Sequence, residues 1–383
     1  MDKISYCKKC LLPSTKPNVK FNAEQICGAC LYYEKKLDTK NKIRWEERLN
    51  EFEALISYAK KFNASLYDIL VPVSGGKDSI YQVSKAIETG LRVLAVSVDY
   101  GIKTKIGLHN LSLIPKMGAN LFVFKPKMTL HKKLIKIGLE HYGDPDLLSH
   151  TLLHAYPLRV ALAFNIPLVF IGENSFIEYD GGRVAEMGGS GKMSAKFITR
   201  QYFNHYCANK SVLAKDIQKK FNLNAKDLIQ YEYPDELEYS NTKAVFLSYF
   251  FPWSSNHNYN IAKKYGFKIL KKPRDGTYRK NTGIDEIINI IHQYLKVLKY
   301  GYGRATDHAC EDIRFNLITR EKGKELVKKY DLKKLSLQNI NEFCQFLGIS
   351  KIELNKILET YRNKKIWKIN NKYKWILPGH LID

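Results

Sequence analysis

Residues 67–88 read YDILVPVSGGKDSIYQVSKAIE, and the six positions Ser74-Gly75-Gly76-Lys77-Asp78-Ser79 inside them decide the fold. The apolar run from Tyr67 to Val73 predicts a strand, and the amphipathic run from Ser79 to Glu88 predicts a helix. Strand, glycine turn and helix together aim backbone N–H groups and a helix N-terminus at a phosphate. Gly75 and Gly76 let the main chain approach the anion closely, Lys77 adds a point charge, and Ser74 and Ser79 add hydroxyl donors. The mononucleotide P-loop is a poor match, because it needs Ser or Thr after the lysine and Asp78 stands there. A flexible turn with a helix cap would leave six fitting positions behind a strand unexplained.

Outward from the loop the pattern alternates. Apolar runs Ile69–Val73, Val93–Val98, Leu121–Phe124 and Leu168–Ile171 predict buried parallel strands. Helical patterns lie between them at Ser79–Glu88, Lys105–Lys116, Leu130–His141 and Thr151–Phe164. This predicts an α/β fold with a doubly wound parallel sheet, in which ligands gather at the carboxyl ends of strands near the topological switch. Two more strand ends are polar: Ser97-Val98-Asp99-Tyr100-Gly101 and Ile171-Gly172-Glu173-Asn174-Ser175. One such acid is an ordinary cap or turn residue; two beside a phosphate loop point to a shared nucleotide cleft that includes Asp99, Gly172 and Glu173.

Past Asp180, Gly181-Gly182 and Gly188-Gly189-Ser190-Gly191 mark either a lid or a linker. Ala244–Phe251 (AVFLSYFF) predicts another buried strand, followed by helical patterns at Asn258–Tyr265, Gly283–Tyr300, Ala309–Leu326 and Ile349–Tyr361. The aromatic, Lys-rich tail Ile366–Leu377 reads as an extended arm. The expected organisation is a cysteine ribbon over residues 1–35 and a helical linker over 36–64. A nucleotide domain over 65–255 and a mainly helical region over 256–383 complete it.

The 383 residues suffice for two or three cores, and a hydrophobic content of 45% is ordinary for a globular protein. The longest apolar stretch, Ala155–Ile171, is interrupted by Pro157, Arg159 and Pro167, so no membrane insertion is expected. MDKISYCKKC lacks a signal-peptide core, so a cytoplasmic location is expected. A formal net charge of +24 suits nucleic acid, an anionic membrane or small polyanions. Yet the lysines fall in scattered pairs, and compositional drift explains the charge equally well.

Cys7, Cys10, Cys27 and Cys30 form C-x2-C-x16-C-x2-C, a tetrathiolate zinc spacing. Two disulfides would be unusual in a cytosolic chain. With all four positions filled by thiolate, the expected zinc is structural. Cys207, Cys310 and Cys344 read as ordinary buried or half-buried thiols.

The loop S-G-G-x-D-S resembles the PP-loop of ATP pyrophosphatases, enzymes that cleave ATP between the α and β phosphates. Nearly end to end, the chain resembles the N-acetyl sugar amidotransferases, PP-loop enzymes of bacterial lipopolysaccharide and flagellin glycan synthesis. The resemblance rests on the cysteine ribbon with Pro13 after its first pair, SGGKDS, SVDYGIKT, IGENSFIEYDGG and LKYGYGRATDHACEDIRFNLITREKG (residues 298–323). It departs at Trp253-Ser254, where the family pattern has aspartate after the tryptophan.

The resemblance implies conversion of a sugar acetamido group to an acetamidino group, on a nonulosonic acid or a nucleotide-linked sugar. The amide oxygen would attack the α-phosphate of ATP, giving an adenylated imidate and pyrophosphate, and ammonia would then displace AMP. The loop would hold the leaving phosphates, with Mg2+ near Asp78 and Glu173. Lys77, Asp78, Arg304, Asp307 and His308 are the expected catalytic residues. Asn174, Asp180, Arg304 and Arg314 are expected to meet the substrate, since two arginines, an acid and an imidazole within eleven positions suit an anionic sugar and proton transfer. His308 is the candidate for deprotonating ammonium. No leftover cysteine sits in a glutaminase frame, so a separate glutaminase subunit is the expected ammonia source.

The alternative is a tRNA-modifying PP-loop enzyme with a zinc ribbon, which the positive charge would suit. Such enzymes typically carry extra cysteines close to the ATP site, and the leftover three form no C-x-x-C pair, so nucleic acid is an unlikely partner.

Overall fold

The computed structural model describes residues 4–37, 43–62, 65–175, 194–208 and 212–381. Five parallel strands form the central sheet: β1 (Ile69–Pro72), β2 (Val93–Val98), β3 (Asn120–Phe124), β4 (Leu168–Ile171) and β5 (Lys243–Phe246). Their order is β3-β2-β1-β4-β5, with Ile69 opposite Val93 on one side and Leu168 on the other. The order reverses between β1 and β4, so the switch lies where the glycine loop leaves β1.

Strand periodicity divides the core. Ile69 and Val71 face a layer holding α2 (Trp45–Lys60), α3 (Lys77–Ile87) and α4 (Lys105–Leu111), whereas Leu70 faces α6 (Leu147–Ala163). Phe52, Leu55 and Ala59 form the buried stripe of α2, and Phe52 meets Phe170 and Phe250 at 5.5 and 5.4 Å. Burying one such ring contributes about 1.5–3 kcal/mol. β3 differs from the expectation of a buried strand: it is the sheet edge, with Phe122 and Val123 exposed.

The predicted strand Ala244–Phe251 is half right. It is strand to Phe246 and a helical turn over Leu247–Phe250, because a run apolar on all sides satisfies either geometry. α5 (Met128–Ile137) continues into a π-helical turn ending at Gly143, which is left-handed. Ser254 caps α7 (Ser255–Lys264), its Oγ accepting from the His257 N–H at 3.1 Å. Serine and aspartate are interchangeable as N-caps, which accounts physically for the departure at this position.

The helical pattern Gly283–Tyr300 begins later than predicted, as α8 (Ile288–Tyr300). Ala309–Leu326 is two helices, α9 (Arg304–Arg314) and α10 (Arg320–Tyr330), separated at Asn316, whose φ is +55°. α11 (Leu337–Leu347) went unpredicted, and α12 (Lys351–Thr360) follows it. α8, α11 and α12 pack on α5 and α6 through Leu295, Phe343, Leu354 and Leu148. The tail is not an extended arm: Lys368–Ile369 and Trp375–Ile376 pair antiparallel as β6 and β7, with Trp367 and Leu377 buried against Ile4 and Val297. The four ribbon cysteines share a core with Ala309 and Cys310 of α9 and Val327 of α10. Among the described residues no helix is long and apolar enough to cross a membrane.

Candidate functional site

The glycine loop is closed on itself. Ser79 Oγ accepts from the Ser74 N–H at 2.9 Å, and Ser74 Oγ accepts from the Gly76 N–H at 3.3 Å. Gly75 has φ +98°, and a Cβ there would lie 2.5 Å from the Gly107 carbonyl oxygen, so conformation and space both require glycine. Lys77 and Asp78 open α3, where the helix dipole adds positive potential. Lys77 Nζ donates to Asp78 Oδ2 at 2.6 Å, and Asn258 Nδ2 of α7 donates to Asp78 Oδ1 at 2.7 Å. Lys103, just past β2, donates to the Ser74 carbonyl at 3.2 Å.

The other strand ends join the same rim. Asp99 accepts from the Gly101 N–H at 2.8 Å and pairs with Lys125 at 3.5 Å. Gly172 admits close packing: a Cβ there would meet Gln82 Nε2 at 2.6 Å and the Trp253 ring at 3.0 Å. Glu173 is half-buried. Asn174 is buried, its N–H donating to Ser248 Oγ at 3.1 Å and its Nδ2 to the Ser194 carbonyl at 3.2 Å. The Oδ1 of Asn174, the Oε1 of Gln82 and the Oδ1 of Asn258 are buried acceptors without a partner among the described residues. Such orphaned acceptors beside a phosphate loop fit donors from a bound nucleotide. Asp78 and Glu173 are the carboxylates that would face Mg2+, which would spread charge developing on the phosphates. Asp180 and the glycines at 181–182 and 188–191 lie outside the described residues.

Asn258 of α7 holds Asp78, and the Ser255 N–H of the same helix donates at 3.1 Å to Glu311 Oε1 of α9, so α7 links the glycine loop to α9. Asp331, buried at the end of α10, caps it: Oδ2 accepts from the Gly303 N–H and Oδ1 from the Ala305 N–H, each at 2.8 Å. Arg304 donates to Asn289 Oδ1, and Lys296 pairs with Asp307. His308 is buried, with Nδ1 and Thr277 Oγ1 2.8 Å apart. Burial, followed by the charges of Arg279, Arg304, Lys77 and Lys296, pushes its basicity well below that of an ordinary imidazole.

Arg314 does not join this group. It lies at the far end of α9 beside Cys10, Cys310, Cys30 and Cys27, whose charge outweighs the cost of burial and keeps the guanidinium protonated. There, Cys7 and Cys30 Sγ are 4.0 Å apart, Cys10 and Cys27 Sγ are 3.7 Å apart, and all four ligand atoms lie within 4.8 Å of one another. A tetrahedral ion with Zn–S of about 2.3 Å needs sulfurs roughly 3.8 Å apart, so the cluster fits zinc. Arg320 ties α10 to the cluster, donating from Nε to the Cys10 carbonyl at 3.1 Å.

Sequence reasoning missed Asn258, Arg279, Thr277, Asp331 and Lys103. Arg279 is clamped to Glu311 at 2.7 Å and to Asp312, and it lines a cavity of 330 Å³ with Tyr259 and Tyr278. Lys103 lies in the quoted stretch SVDYGIKT, and none of the others falls in a motif; their roles come from contacts distant in sequence.

Residues 248–378 match a family model described as LPS biosynthesis protein WbpG-like, C-terminal domain. The match spans Trp253, α7 and the whole of α9, about a third of the chain. No curated protein matches. A solved structure, NMN synthetase from Francisella tularensis, aligns at 14% identity over 61% of this chain and 99% of that one, with a TM-score of 0.28. A score that low carries no argument about fold or activity.

Proposed function

We propose that this chain is an ATP-dependent amidotransferase of bacterial surface-glycan synthesis that converts a sugar acetamido group to an acetamidino group. The observation that carries the reading is the link through α7, inside the segment similar to the LPS-biosynthesis model, between α9 and a PP-loop at a parallel-sheet switch. Ser74–Ser79 bind the β and γ phosphates through main-chain N–H groups and Lys77. The sugar amide oxygen attacks the α-phosphorus, the bond to the bridging oxygen breaks, and pyrophosphate leaves. Arg304 and Lys296 hold the anionic partners from the α9 side. Ammonia adds to the imidate carbon and AMP departs with the C–O electron pair, leaving an amidinium. Water has to be kept out, because it would return the imidate to the amide.

None of the leftover thiols is activated: burial pushes the Cys207 and Cys344 thiols up, and Cys310 is buried against the ribbon. This supports an external ammonia source, a separate glutaminase. The test incubates the chain with ATP, Mg2+, ammonium chloride and a panel of free and UDP-linked acetamido sugars. AMP, pyrophosphate and a product one mass unit lighter are expected, because oxygen (roughly 16) is exchanged for NH (roughly 15) in the step ATP drives. ADP and orthophosphate, or turnover on tRNA instead, would overturn the reading.

A further inference from the structure

The cavity of 330 Å³ lies between α7, the segment 269–281 and the end of α9, and every residue that lines it falls inside the stretch 248–378 that matches the LPS-biosynthesis model. Its floor is electrically closed. Arg279 donates from Nη1 to Glu311 Oε2 at 2.7 Å and pairs through Nη2 with one oxygen of Asp312, and the Tyr278 hydroxyl donates to the other. With two carboxylates on the guanidinium and both oxygens of Asp312 occupied, the floor offers a ligand no free charge. It is also pinned: the Arg279 N–H donates to Thr277 Oγ1 at 3.0 Å, and the Leu270 N–H donates to the Lys280 carbonyl at 3.0 Å. A wall set before a ligand arrives lowers the ordering cost of binding.

The rim differs. Asn256, Lys280 and Leu317 are exposed there, and among the described residues the Lys280 ammonium has no ion-pair partner. Asn281 Oδ1 accepts from Thr282 Oγ1 at 3.2 Å, which leaves its NH2 to donate. Tyr259 and Tyr278 supply ring faces. Aromatic faces suit the C–H side of a sugar, amides suit its hydroxyls, and one unpaired ammonium suits an anion. A purely apolar ligand would strand the amides, and a cationic one would meet Lys280. Ligand pockets run from about 300 to 1,000 Å³, so this one holds a single monosaccharide and not a whole nucleotide-linked one.

α7 joins the cavity to the glycine loop. Ser255 and Tyr259 line the cavity one turn apart, and Asn258 between them donates to Asp78 Oδ1 at 2.7 Å. Side chains three apart on a helix have Cβ atoms about 5–6 Å apart, which puts the Ser255 wall within about 11 Å of the Asp78 carboxylate.

We propose that this cavity is the acceptor site, and that it takes a monosaccharide ring carrying an anionic group, with Tyr259 and Tyr278 against the ring, Asn256 and Asn281 on its hydroxyls and Lys280 on the anion. In calling that sugar the acceptor, the inference rests on the amidotransferase reading above. The anion is the carboxylate of a free sugar acid or the phosphate of a nucleotide-linked sugar whose carrier runs out past the rim; Lys280 meets either in the same way.

Calorimetry and saturation-transfer NMR on the full chain without ATP read the site directly. N-acetylneuraminate supplies the carboxylate, UDP-N-acetylglucosamine the phosphate, N-acetylglucosamine neither, and UDP the phosphate without the sugar. One of the two charged sugars should bind at least about tenfold more tightly than N-acetylglucosamine and than UDP, and which of them does so identifies the anion. Lys280→Ala, at an exposed position, should remove that advantage, and Lys280→Arg should restore most of it. Tyr259→Ala should weaken the charged and neutral sugars alike. In each variant the affinity for MgATP should stay the same. No binding of either charged sugar, equal affinity for charged and neutral sugars, UDP binding as tightly as its sugar conjugate, or full affinity in Lys280→Ala would each overturn the proposal. The amidotransferase reading fails separately. Lys280-dependent binding with no AMP released from any acetamido sugar would keep the site and sink the reaction, whereas turnover with an unchanged sugar KM in Lys280→Ala would keep the reaction and sink the site.

Discussion

The glycine loop and α9 are joined through α7, but the loop and the N-terminal end of α9 are built in opposite ways. The loop is contiguous: six successive residues supply the turn, the charge and the hydroxyls, and most of its hydrogen bonds stay within those six. The start of α9 is borrowed. Asp331, Lys296, Asn289 and Thr277 hold it, and they come from three other segments of the chain. A local motif withstands the loss of distant contacts, whereas a clasp made of distant contacts falls with any one of them.

The largest effect should come from breaking the loop itself. Lys77→Ala should lower ATP turnover at least about a hundredfold with little change in melting temperature. Gly75→Ala should do the same and also destabilise the protein, since its new methyl meets the Gly107 carbonyl. Parallel kinetics and thermal melts separate the two outcomes. If Lys77→Ala unfolds the protein, the loop is not the self-contained unit described here.

The clasp comes next. Asp331→Ala leaves the Gly303, Ala305 and Thr306 amides without their acceptor and should cost about 2–4 kcal/mol, with turnover falling alongside stability. The pH dependence sharpens the point. Burial pushes the Asp331 carboxyl up to about 6 from an ordinary 3.8, so the folded chain binds this proton more tightly than the unfolded one. Stability from this group is therefore lost as pH rises from about 4 to 6, by about 3 kcal/mol at most. Asp331→Asn should remove that slope, and denaturant titrations at several pH values measure it.

A third test reaches α9 from its other end. Metal analysis should find one zinc per chain. Cys27→Ser should lower the melting temperature and solubility, and turnover with them, because Ala309 and Cys310 of α9 pack on the cluster. A metal-free, fully active protein would remove the ribbon from the comparison. The smallest effect is expected for Asn258→Ala. It removes one hydrogen bond to Asp78, worth about 1 kcal/mol, and should cost a few-fold in turnover with an unchanged melting temperature.

The contrast also explains what the sequence made legible. The glycine loop, the strand ends and the cysteine spacing are local patterns, and each appears where the residues predicted it. Ala244–Phe251 misled because apolar residues on every side carry no period. The continuous pattern Ala309–Leu326 hid a break at Asn316, a residue that tolerates the left-handed backbone found there. Spacing places Arg314 on α9 with Arg304 but not at the same end. Asp331 was invisible because nothing near it in sequence marks its partners.

The link between Arg320 and the Cys10 carbonyl spans 310 residues. At a synthesis rate of about 5–20 residues per second, the cysteine segment leaves the ribosome roughly 15 to 60 seconds before the helices it rests on. Through that interval the four thiols have only the ribbon's own Leu11, Leu12 and Ile26 for apolar neighbours, and a segment so short has little besides a captured ion to keep it ordered. Metal supply during translation, rather than after it, should therefore govern the yield of correctly assembled protein.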